Sequence, residues 1–343
     1  MVKLLGAHGG RYYLYIDDLP LIGHVAFGVI DRGTNILQVR PTTICPLNCV
    51  FCSVDAGPFS RYRQSEFIID LRHLIKWFDK VLELKSGEVD EALIDGVGDP
   101  TTYPRLPDLV KELKKRVSRV AIETHGEILS KSLIDDLDKA GLDRINLSID
   151  TLDPEKARFL QGVKWYNVDK VRELAEYIVR NTRIDIHLTP VWIPGVNDRD
   201  IEEIIRWGLS IGVGKRFPPF GIQKYMIHRY GRKIRGVREI DWESFRRFLE
   251  SLEKKYGVPL YYKNIDFGIR RSKSVPIKYG VGERIIARVV SPGWLRREAL
   301  AVDLDEDLVI TIIDIDDLEA LINKRVRVRI IENSDNIYVG RIA

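Results

Sequence analysis

Three cysteines lie close together in the sequence, at positions 45, 49 and 52, and they are the only cysteines in the chain. A structural zinc site normally uses four ligands, and no nearby histidine completes this set. A disulfide framework needs an even number of cysteines, and a thioredoxin-like pair leaves Cys45 unexplained. Thiolates also bind iron–sulfur clusters, and three of them leave the fourth iron of a cubane open for substrate chemistry. We therefore predict one [4Fe–4S] cluster on Cys45, Cys49 and Cys52; three reduced, inert thiols are the alternative.

This CxxxCxxC loop, with aromatic Phe51 before its last cysteine, closely resembles that of the radical S-adenosylmethionine (SAM) superfamily. The resemblance implies that the amino and carboxylate groups of SAM chelate the open iron and that Phe51 contacts the cofactor. It also implies that an electron from the reduced cluster cleaves SAM to methionine and a 5′-deoxyadenosyl radical, which abstracts hydrogen from a substrate. The protein would mainly position and shield the reactants, because the cofactor carries the chemistry.

Strand-like and helical segments alternate over residues 36–256, which is typical of a parallel α/β sheet. Six βα units predict a partial (β/α)6 TIM-like barrel, in which catalysis occurs at the carboxyl ends of the strands. The cysteine loop follows the first predicted strand. The predicted strands cover residues 36–41, 91–98, 119–124, 144–150, 184–191 and 220–225. The predicted helices lie near residues 67–86, 106–116, 130–140, 168–181, 198–211 and 241–256.

The second predicted strand ends in the sequence Gly-Val-Gly-Asp-Pro, at residues 96–100. Glycines at Gly96 and Gly98 let the backbone approach a ligand closely. The segment is similar to the GGEP motif of the superfamily, with Asp99 in place of glutamate. The resemblance implies that this backbone and Asp99 receive the amino group of SAM. A tight turn without a ligand is the alternative.

The third and fourth predicted strands end in polar residues. Thr124 and His125 resemble the TNG-like turn of the molybdenum-cofactor branch, with histidine in place of asparagine. His125 could donate a proton or contact substrate, and a structural histidine is the alternative. Ser148 and Asp150 end the fourth strand, and short polar side chains there suit the ribose hydroxyls of SAM. We therefore place Thr124, Ser148 and Asp150 among the cofactor-binding residues.

The fifth and sixth predicted strands supply two further cofactor-binding candidates, Gly195 and Gln223. The turn that contains Gly195 resembles one that supports SAM in related enzymes, although Asp198 could simply be the N-cap of the next helix. A basic segment follows Gln223, and it either holds an anionic substrate or forms a solvated loop. Its notable residues are Met226, His228, Arg229, Arg232 and Lys233.

The two ends of the chain are rich in strand-like segments and lack the regular alternation of strands and helices of its middle. Residues 1–35 predict a small β cap, followed by a radical SAM core at 36–260. Residues 276–343 contain five strand-like segments with a helical piece at 317–323, which predicts a small all-β OB-like barrel. This region resembles the RNA-binding TRAM module, and strand alternation places Arg325, Arg327 and Arg329 on one face for phosphates. A structural barrel or one that contacts a protein is the alternative.

Composition is that of a globular protein, with 45% hydrophobic and 30% charged residues among 343. The apolar runs are strand-length, and the start has no signal-peptide pattern, so we expect a cytoplasmic protein without a membrane partner. The net charge of +4 excludes no class of partner.

Because the chain has no other cysteine, the resemblance to methylthio-transferring enzymes, molybdenum-cofactor cyclases and cysteine-dependent methylases cannot extend to their further cysteines. We expect a single-cluster enzyme that needs SAM and a reducing electron donor and that modifies RNA, with tRNA as the expected substrate. Two alternatives stay open: a radical enzyme for a small molecule or protein side chain, and a non-catalytic iron–sulfur binding module.

Overall fold

The computed structural model describes residues 2–262 and 267–343. The chain divides into two compact units. The first unit comprises Met1–Ile44, Arg61–Arg105 and Arg271–Ala343, and the second comprises Cys45–Ser60 and Leu106–Arg270. These units do not test where separate domains begin, so the three predicted domains stay a prediction. Among the described residues, no helix has the length and apolar character that a membrane crossing requires.

The N-terminal strands of the first unit form a three-stranded sheet. Strand β1 (Val2–His8) pairs antiparallel with β2 (Arg11–Ile16), and β5 (Ser65–Ile69) runs parallel beside β2. The prediction of helix near residues 67–86 was therefore wrong at its start. Helix α1 (Leu71–Leu84) begins only after Asp70, whose carboxylate accepts a hydrogen bond from the backbone N–H of residue 73 at 2.9 Å.

The first unit also carries the initial part of the predicted α/β core. Strand β3 (Gly28–Asp31) pairs antiparallel with β4 (Ile36–Arg40), and β4 pairs parallel with β6 (Glu91–Ile94). All four residues of β3 are buried, as expected for strands covered on both faces. The strand predicted over residues 91–98 ends at Ile94, and the residues after it form the glycine-containing turn.

The second unit continues the alternation of strands and helices. Strands β7 (Arg119–Thr124), β8 (Arg144–Leu147) and β9 (Asp185–Leu188) pair in parallel. Their helices have pronounced apolar faces, so that packing rather than propensity stabilises them. The helices of this unit are α2 (Leu106–Lys114), α3 (Lys131–Ala140), α4 (Pro154–Leu160), α5 (Val168–Asn181), α6 (Asp198–Ile211) and α7 (Trp242–Tyr256).

The sixth predicted strand is the weakest match. Within 220–225 only β11 (Gln223–Lys224) is a strand, and it pairs parallel with the two-residue strand β10 (Val191–Trp192). Phe220 adds a single parallel bridge to Leu188. The α/β class is thus confirmed, whereas the complete (β/α)6 arrangement stays a prediction.

The C-terminal region contains a closed barrel of five strands. Their order around the barrel is β12, β13, β14, β16, β15, and buried aliphatic side chains fill the interior. The predicted helical piece at 317–323 was wrong: it forms turns, and Asn323 there has a φ of +65°. A helix of seven residues is marginal, and this segment lacks the proline that begins the equally short helix α4. The strands are β12 (Arg284–Pro292), β13 (Ala299–Asp303), β14 (Val309–Ile312), β15 (Arg325–Glu332) and β16 (Val339–Ile342).

Candidate active site

The cysteine loop, residues 45–52, is held against the end of α4. The backbone N–H groups of Asn48 and Val50 donate to the carbonyls of Gln161 and Leu160, each at 2.9 Å. Gly162 has a φ of +64°, and a Cβ there would overlap the carbonyl oxygen of Asn48. Only glycine satisfies both conditions without strain. Helix α4 therefore positions the loop, although the sequence analysis did not predict this helix.

The donor set of three thiols on one short loop fits the ligands of an iron–sulfur cluster. Cys49 is buried, and Cys52 Sγ accepts a hydrogen bond from the backbone N–H of Ala56 at 3.2 Å. Among the described residues, no three Cys, His, Asp or Glu side chains converge as ligands of a single metal ion would. A [4Fe–4S] cluster does not require such convergence, because each thiolate binds a different iron.

The ionisation of Cys49 depends strongly on its surroundings. Burial raises the pKa of its thiol well above the ordinary value, and the charges of Cys45, Cys52 and Asp150 raise it further, whereas Arg232 lowers it. Three thiolates this close therefore need compensation by positive charge. Bound iron would supply that positive charge. A thiol that coordinates a metal ion is deprotonated for this reason.

Gln161 connects Cys49 to Asp150. Its Oε1 accepts a hydrogen bond from the Cys49 thiol at 2.7 Å, and its Nε2 donates to Asp150 Oδ2 at 2.8 Å. The other oxygen of Asp150 accepts from the backbone N–H of Val191 at 2.8 Å. Burial raises the pKa of Asp150. Asp150, predicted to bind SAM ribose, thus lies one side chain away from a cysteine of the loop, and Gln161 had no sequence signal.

His125 also approaches the cysteine loop. Its Nε2 lies 3.9 Å from Cys49 Sγ, and its Nδ1 lies 3.0 Å from the carbonyl oxygen of Ser148. The hydroxyl of Tyr166 donates to the His125 carbonyl at 3.2 Å. The ends of β7 and β8 therefore bring a titratable ring to the thiols, as the strand-end argument predicted.

The remaining candidates of the second unit take part in local structure. Thr124 Oγ1 accepts from the N–H of Gly126 at 3.0 Å, and Ser148 Oγ lies 3.2 Å from the hydroxyl of Thr189. Phe51 is buried. These contacts leave the cofactor roles of Thr124, Ser148 and Phe51 as predictions.

The turn at Gly195 is stabilised by Asp198. The Asp198 carboxylate accepts from the Gly195 N–H at 2.7 Å and from Trp192 Nε1 at 2.9 Å. The suggestion that Asp198 is an N-cap was wrong, because Asn197 occupies that position and Asp198 is the first residue of α6. Gln223 has an exposed side chain, and its role toward SAM also stays a prediction.

In the first unit, the Gly-Val-Gly-Asp turn packs on the chain that leads into Cys45. A Cβ on Gly98 would overlap the carbonyl oxygens of Thr43 and Ile44, and the Asp99 N–H donates to the Ile44 carbonyl at 2.9 Å. The Asp99 carboxylate accepts from the N–H of Thr101 at 3.0 Å and caps a short 3₁₀ helix. The geometry is a tight turn, and it leaves the predicted contact of Gly96, Gly98 and Asp99 with SAM untested.

Arg63 is a buried residue that the sequence analysis missed. Its Nη1 donates to the Thr43 carbonyl at 2.8 Å and pairs with Glu66 at 3.1 Å, and its Nη2 donates to the Val97 carbonyl. Its guanidinium also lies 5.1 Å from the ring of Trp294. Arg63 thus joins the chain before Cys45, the glycine turn and the C-terminal region. No motif surrounds it in the sequence.

Arg232 is a second missed positioning residue. Its Nε donates to the Cys49 carbonyl at 2.7 Å, its Nη2 to the Ala56 carbonyl at 2.6 Å, and its Nη1 pairs with Asp55 at 2.6 Å. Its backbone N–H donates to the Cys52 carbonyl at 2.8 Å. The sequence analysis placed Arg232 in a segment that either holds an anionic substrate or forms a solvated loop, but its guanidinium instead holds the cysteine loop.

Comparisons with known proteins agree with this site. Residues 39–208 match the radical SAM superfamily. The chain belongs to that superfamily and is an enzyme of the radical SAM class. It is 38% identical to an uncharacterized protein of Methanocaldococcus jannaschii over 353 aligned positions, which cover 97% of this chain and 81% of the relative.

The chain is also similar to more distant proteins. The chain is 28% identical to the GTP 3′,8-cyclase of Peptoclostridium acidaminophilum over 226 residues, and the match spans 65% of each protein. The structure of Streptococcus suis SuiB superposes with a TM-score of 0.50 at 20% identity, covering 78% of this chain and 57% of SuiB. That similarity supports the fold alone.

Proposed function

We propose that the chain cleaves SAM reductively at one [4Fe–4S] cluster bound by Cys45, Cys49 and Cys52 and modifies RNA by hydrogen abstraction. The observation that supports the cluster is the cysteine loop, in which three thiols share one short segment and the two neighbouring cysteines raise the pKa of Cys49. When bound, the cluster and SAM supply an electron and a 5′-deoxyadenosyl radical. An external reductant must deliver the electron.

The chain's own residues then have the task of binding and shielding. Gln161 and His125 border Cys49, and Arg232 fixes the loop around it. In this proposal the residues that contact SAM are those predicted from the strand ends. They are Phe51, Gly96, Gly98, Asp99, Thr124, Ser148, Asp150, Gly195 and Gln223.

An arginine-rich barrel face supports RNA as the substrate. In the pairing of β12 with β15, Arg284 lies opposite Arg329 and Arg288 lies opposite Arg325, with Arg327 between them on β15. Like charges directly opposite one another destabilise a sheet. A polyanion that binds this face would relieve the repulsion and release counterions. We call residues 284, 325, 327 and 329 the arginine face.

The charges of the arginine face are open to a ligand. The side chains of Arg325, Arg327 and Arg329 are exposed and, within 2–262 and 267–343, form no ion pair. Arg341, which lies opposite Arg329 on β16, instead pairs with Asp314 at 2.7 Å, and Arg297 in the connection before β13 pairs with Asp316 at 2.6 Å. The order of the five strands, with β14 and β16 parallel, also suits the predicted OB-like barrel, a fold that binds oligonucleotides.

The test is an anaerobic assay of the reconstituted, reduced full-length protein for 5′-deoxyadenosine, with total tRNA added or withheld. We expect product that rises with tRNA and is lost in Cys49→Ala but kept in Ser53→Ala, an exposed control beside the loop. Absence of product under every condition contradicts the radical reaction for this chain. Product that ignores tRNA contradicts the RNA substrate and favours a small molecule or protein side chain.

The arginine face has its own matched control. R327Q/R329Q and R296Q/R297Q remove equal charge from the barrel, but only the first pair lies on the arginine face, whereas Arg296 and Arg297 are exposed in the connection between β12 and β13. We expect the first double variant to bind tRNA more weakly and with a smaller salt dependence, by about 0.9 per lost phosphate contact on a duplex region. Equal affinities of the two double variants would argue against this face.

A further inference from the structure

A second group of unpaired cations lies beside the cysteine loop, in residues 226–238. These thirteen residues contain five Lys or Arg and one His, with no Asp or Glu. One of the five, Arg232, points into the protein and holds the cysteine loop. The other four carry exposed side chains that form no ion pair with any described residue: Arg229, Lys233, Arg235 and Arg238.

This pattern differs from the rest of the second unit. Exposed cations on its helices often have carboxylate partners, such as Arg180 with Glu176 at 3.2 Å and Lys255 with Glu202 at 2.5 Å. Segment 226–238 is followed by Glu239, but that carboxylate accepts the N–H of Ile227 and lies 3.5 Å from Lys224. The four cations are therefore not neutralised by any carboxylate among the described residues, and their mutual repulsion favours binding of an anion.

The segment is fixed in place rather than loosely attached. Besides the Arg232 contacts, a Cβ on Gly231 would lie 2.8 Å from the carbonyl oxygens of both Cys52 and Ser53, so the backbone here packs directly on the loop. Three extended residues span at most about 11 Å, which limits the distance from Arg232 to Arg229 or Arg235. The open charges are thus held within a short reach of the cluster ligands.

Exposed apolar and aromatic side chains are interleaved with these charges. Met226, Ile227 and Tyr230 are 39%, 40% and 42% exposed. The Arg229 guanidinium lies 5.0 Å from the ring of Tyr230. Cations that follow a backbone, combined with faces on which bases stack, are the features of single-strand binding surfaces. An enzyme that acts on a base also needs that base unstacked.

We propose that residues 226–238 bind the phosphate backbone of a single-stranded RNA segment next to the cluster. The inference deepens the proposed RNA function and rests on it, since it names the surface that holds the reacting strand. The phosphates contact Arg229, Lys233, Arg235 and Arg238, and Tyr230 stacks on a base.

The test measures binding of a fluorescent single-stranded oligouridylate to the cluster-loaded, full-length protein as salt is varied. For R235Q/R238Q we expect binding weaker on the order of tenfold, and a salt slope smaller by about 1.4, or 0.7 per phosphate contact. The matched control is R199Q/K254Q, which removes two exposed cations of the same unit that lie outside the segment and form no ion pair in the part of the chain that the structure describes. Iron and sulfide content should be equal in all three proteins.

The outcomes separate this inference from the proposed function. If the wild type binds no RNA, the result contradicts both this inference and the proposed RNA substrate. If R327Q/R329Q weakens binding while R235Q/R238Q behaves like its control, the result contradicts only the inference that residues 226–238 bind the RNA. Displacement of the oligonucleotide by an equimolar nucleoside triphosphate would overturn it in favour of a nucleotide site. Photocrosslinking of a 4-thiouridine oligonucleotide to the wild type should label residues 226–238, and labelling confined to other segments would also overturn it.

Discussion

At the scale of single residues, Arg232 and Asp55 form a nearly buried ion pair beside the cysteine loop. Asp55 has a φ of +50°, and its side chain is 1% exposed, compared with 17% for Arg232. A buried carboxylate without its cation is strongly disfavoured. The pair therefore stabilises one conformation of the loop. Residue 232 also donates hydrogen bonds to the carbonyls of Cys49, Cys52 and Ala56, and these bonds determine where the backbone of the loop lies.

We expect Arg232→Met to lower the free energy of unfolding by about 3–5 kcal/mol, because it removes the cation that pairs with the buried Asp55 carboxylate. Iron and sulfide retained after reconstitution should also fall, since the carbonyls of Cys49 and Ala56 lose their side-chain donors. Urea unfolding and iron analysis measure both effects. Lys233→Met, which changes an exposed neighbour, is the control.

The double variant R232M/D55N separates charge burial from loop support. Asparagine tolerates positive φ, so the double variant should recover stability while iron retention stays low. Recovery of both quantities would contradict a positioning role for Arg232, because the defect of the single variant would then come only from losing the positive charge beside Asp55.

At the scale of elements, the predictions succeeded where local pattern decides structure. The bounds of α5 and α6 and of β7 agree with the predicted 168–181, 198–211 and 119–124, because apolar periodicity and capping residues define them. Strand β5 was missed because its pairing with β2 joins residues distant in sequence. Helix α4 was missed because it is short and buries few residues, although Asp153 and Pro154 are good initiation signals.

The site shows the same division between local and distant information. The cysteine spacing and the polar strand ends predicted which side chains to inspect, and His125 and Asp150 do lie near Cys49. Gln161, Arg63 and Arg232 could not be predicted, because each acts through contacts between segments far apart in the sequence.

The glycine turn after β6 gives a prediction at this scale. Gly98→Ala places a Cβ against the carbonyls of Thr43 and Ile44, so the turn or the chain before Cys45 must move. A Cβ on Gly96 meets only the Thr42 carbonyl, at 3.2 Å. We expect Gly98→Ala to lose about 1–3 kcal/mol of unfolding free energy, as overpacked sites do, and to retain less iron.

Gly96→Ala should remain close to wild type in both measurements, which are urea unfolding and iron content. Equal effects of the two substitutions would show that the contact of Gly98 with residues 43 and 44 does not distinguish these positions.

At the scale of the whole molecule, two buried histidines make global stability sensitive to acid. Burial lowers the pKa of His24 to about 3 and that of His187 to about 4. Both rings stay neutral in the folded chain, whereas the unfolded chain protonates them below an ordinary pKa near 6.5. Stability is therefore present above that pH and is lost as the pH falls from 6.5 toward 3.

Each histidine adds up to about 1.4 kcal/mol per pH unit to this loss. We expect His24→Asn to reduce the slope of unfolding free energy against pH between 6 and 4 by about that amount. Asparagine keeps an acceptor for the Ala26 N–H, which bonds His24 Nδ1 at 3.1 Å. Urea unfolding across this range measures the slope, with exposed His8→Asn as control; an unchanged slope in His24→Asn would contradict the assignment.

The attachment of the C-terminal barrel has a consequence for limited proteolysis. Backbone hydrogen bonds join Gln64 to Trp294, Arg296 to Tyr62 and Val309 to Ile22, at 2.8–2.9 Å, and Arg63 lies under Trp294. A protease that cuts the connection near residue 280 would leave both fragments associated until denaturant separates them. The barrel would thus stay bound to the rest of the first unit without a covalent link. A chain that ended near residue 280 would lack Trp294 and would expose the buried Arg63 to water.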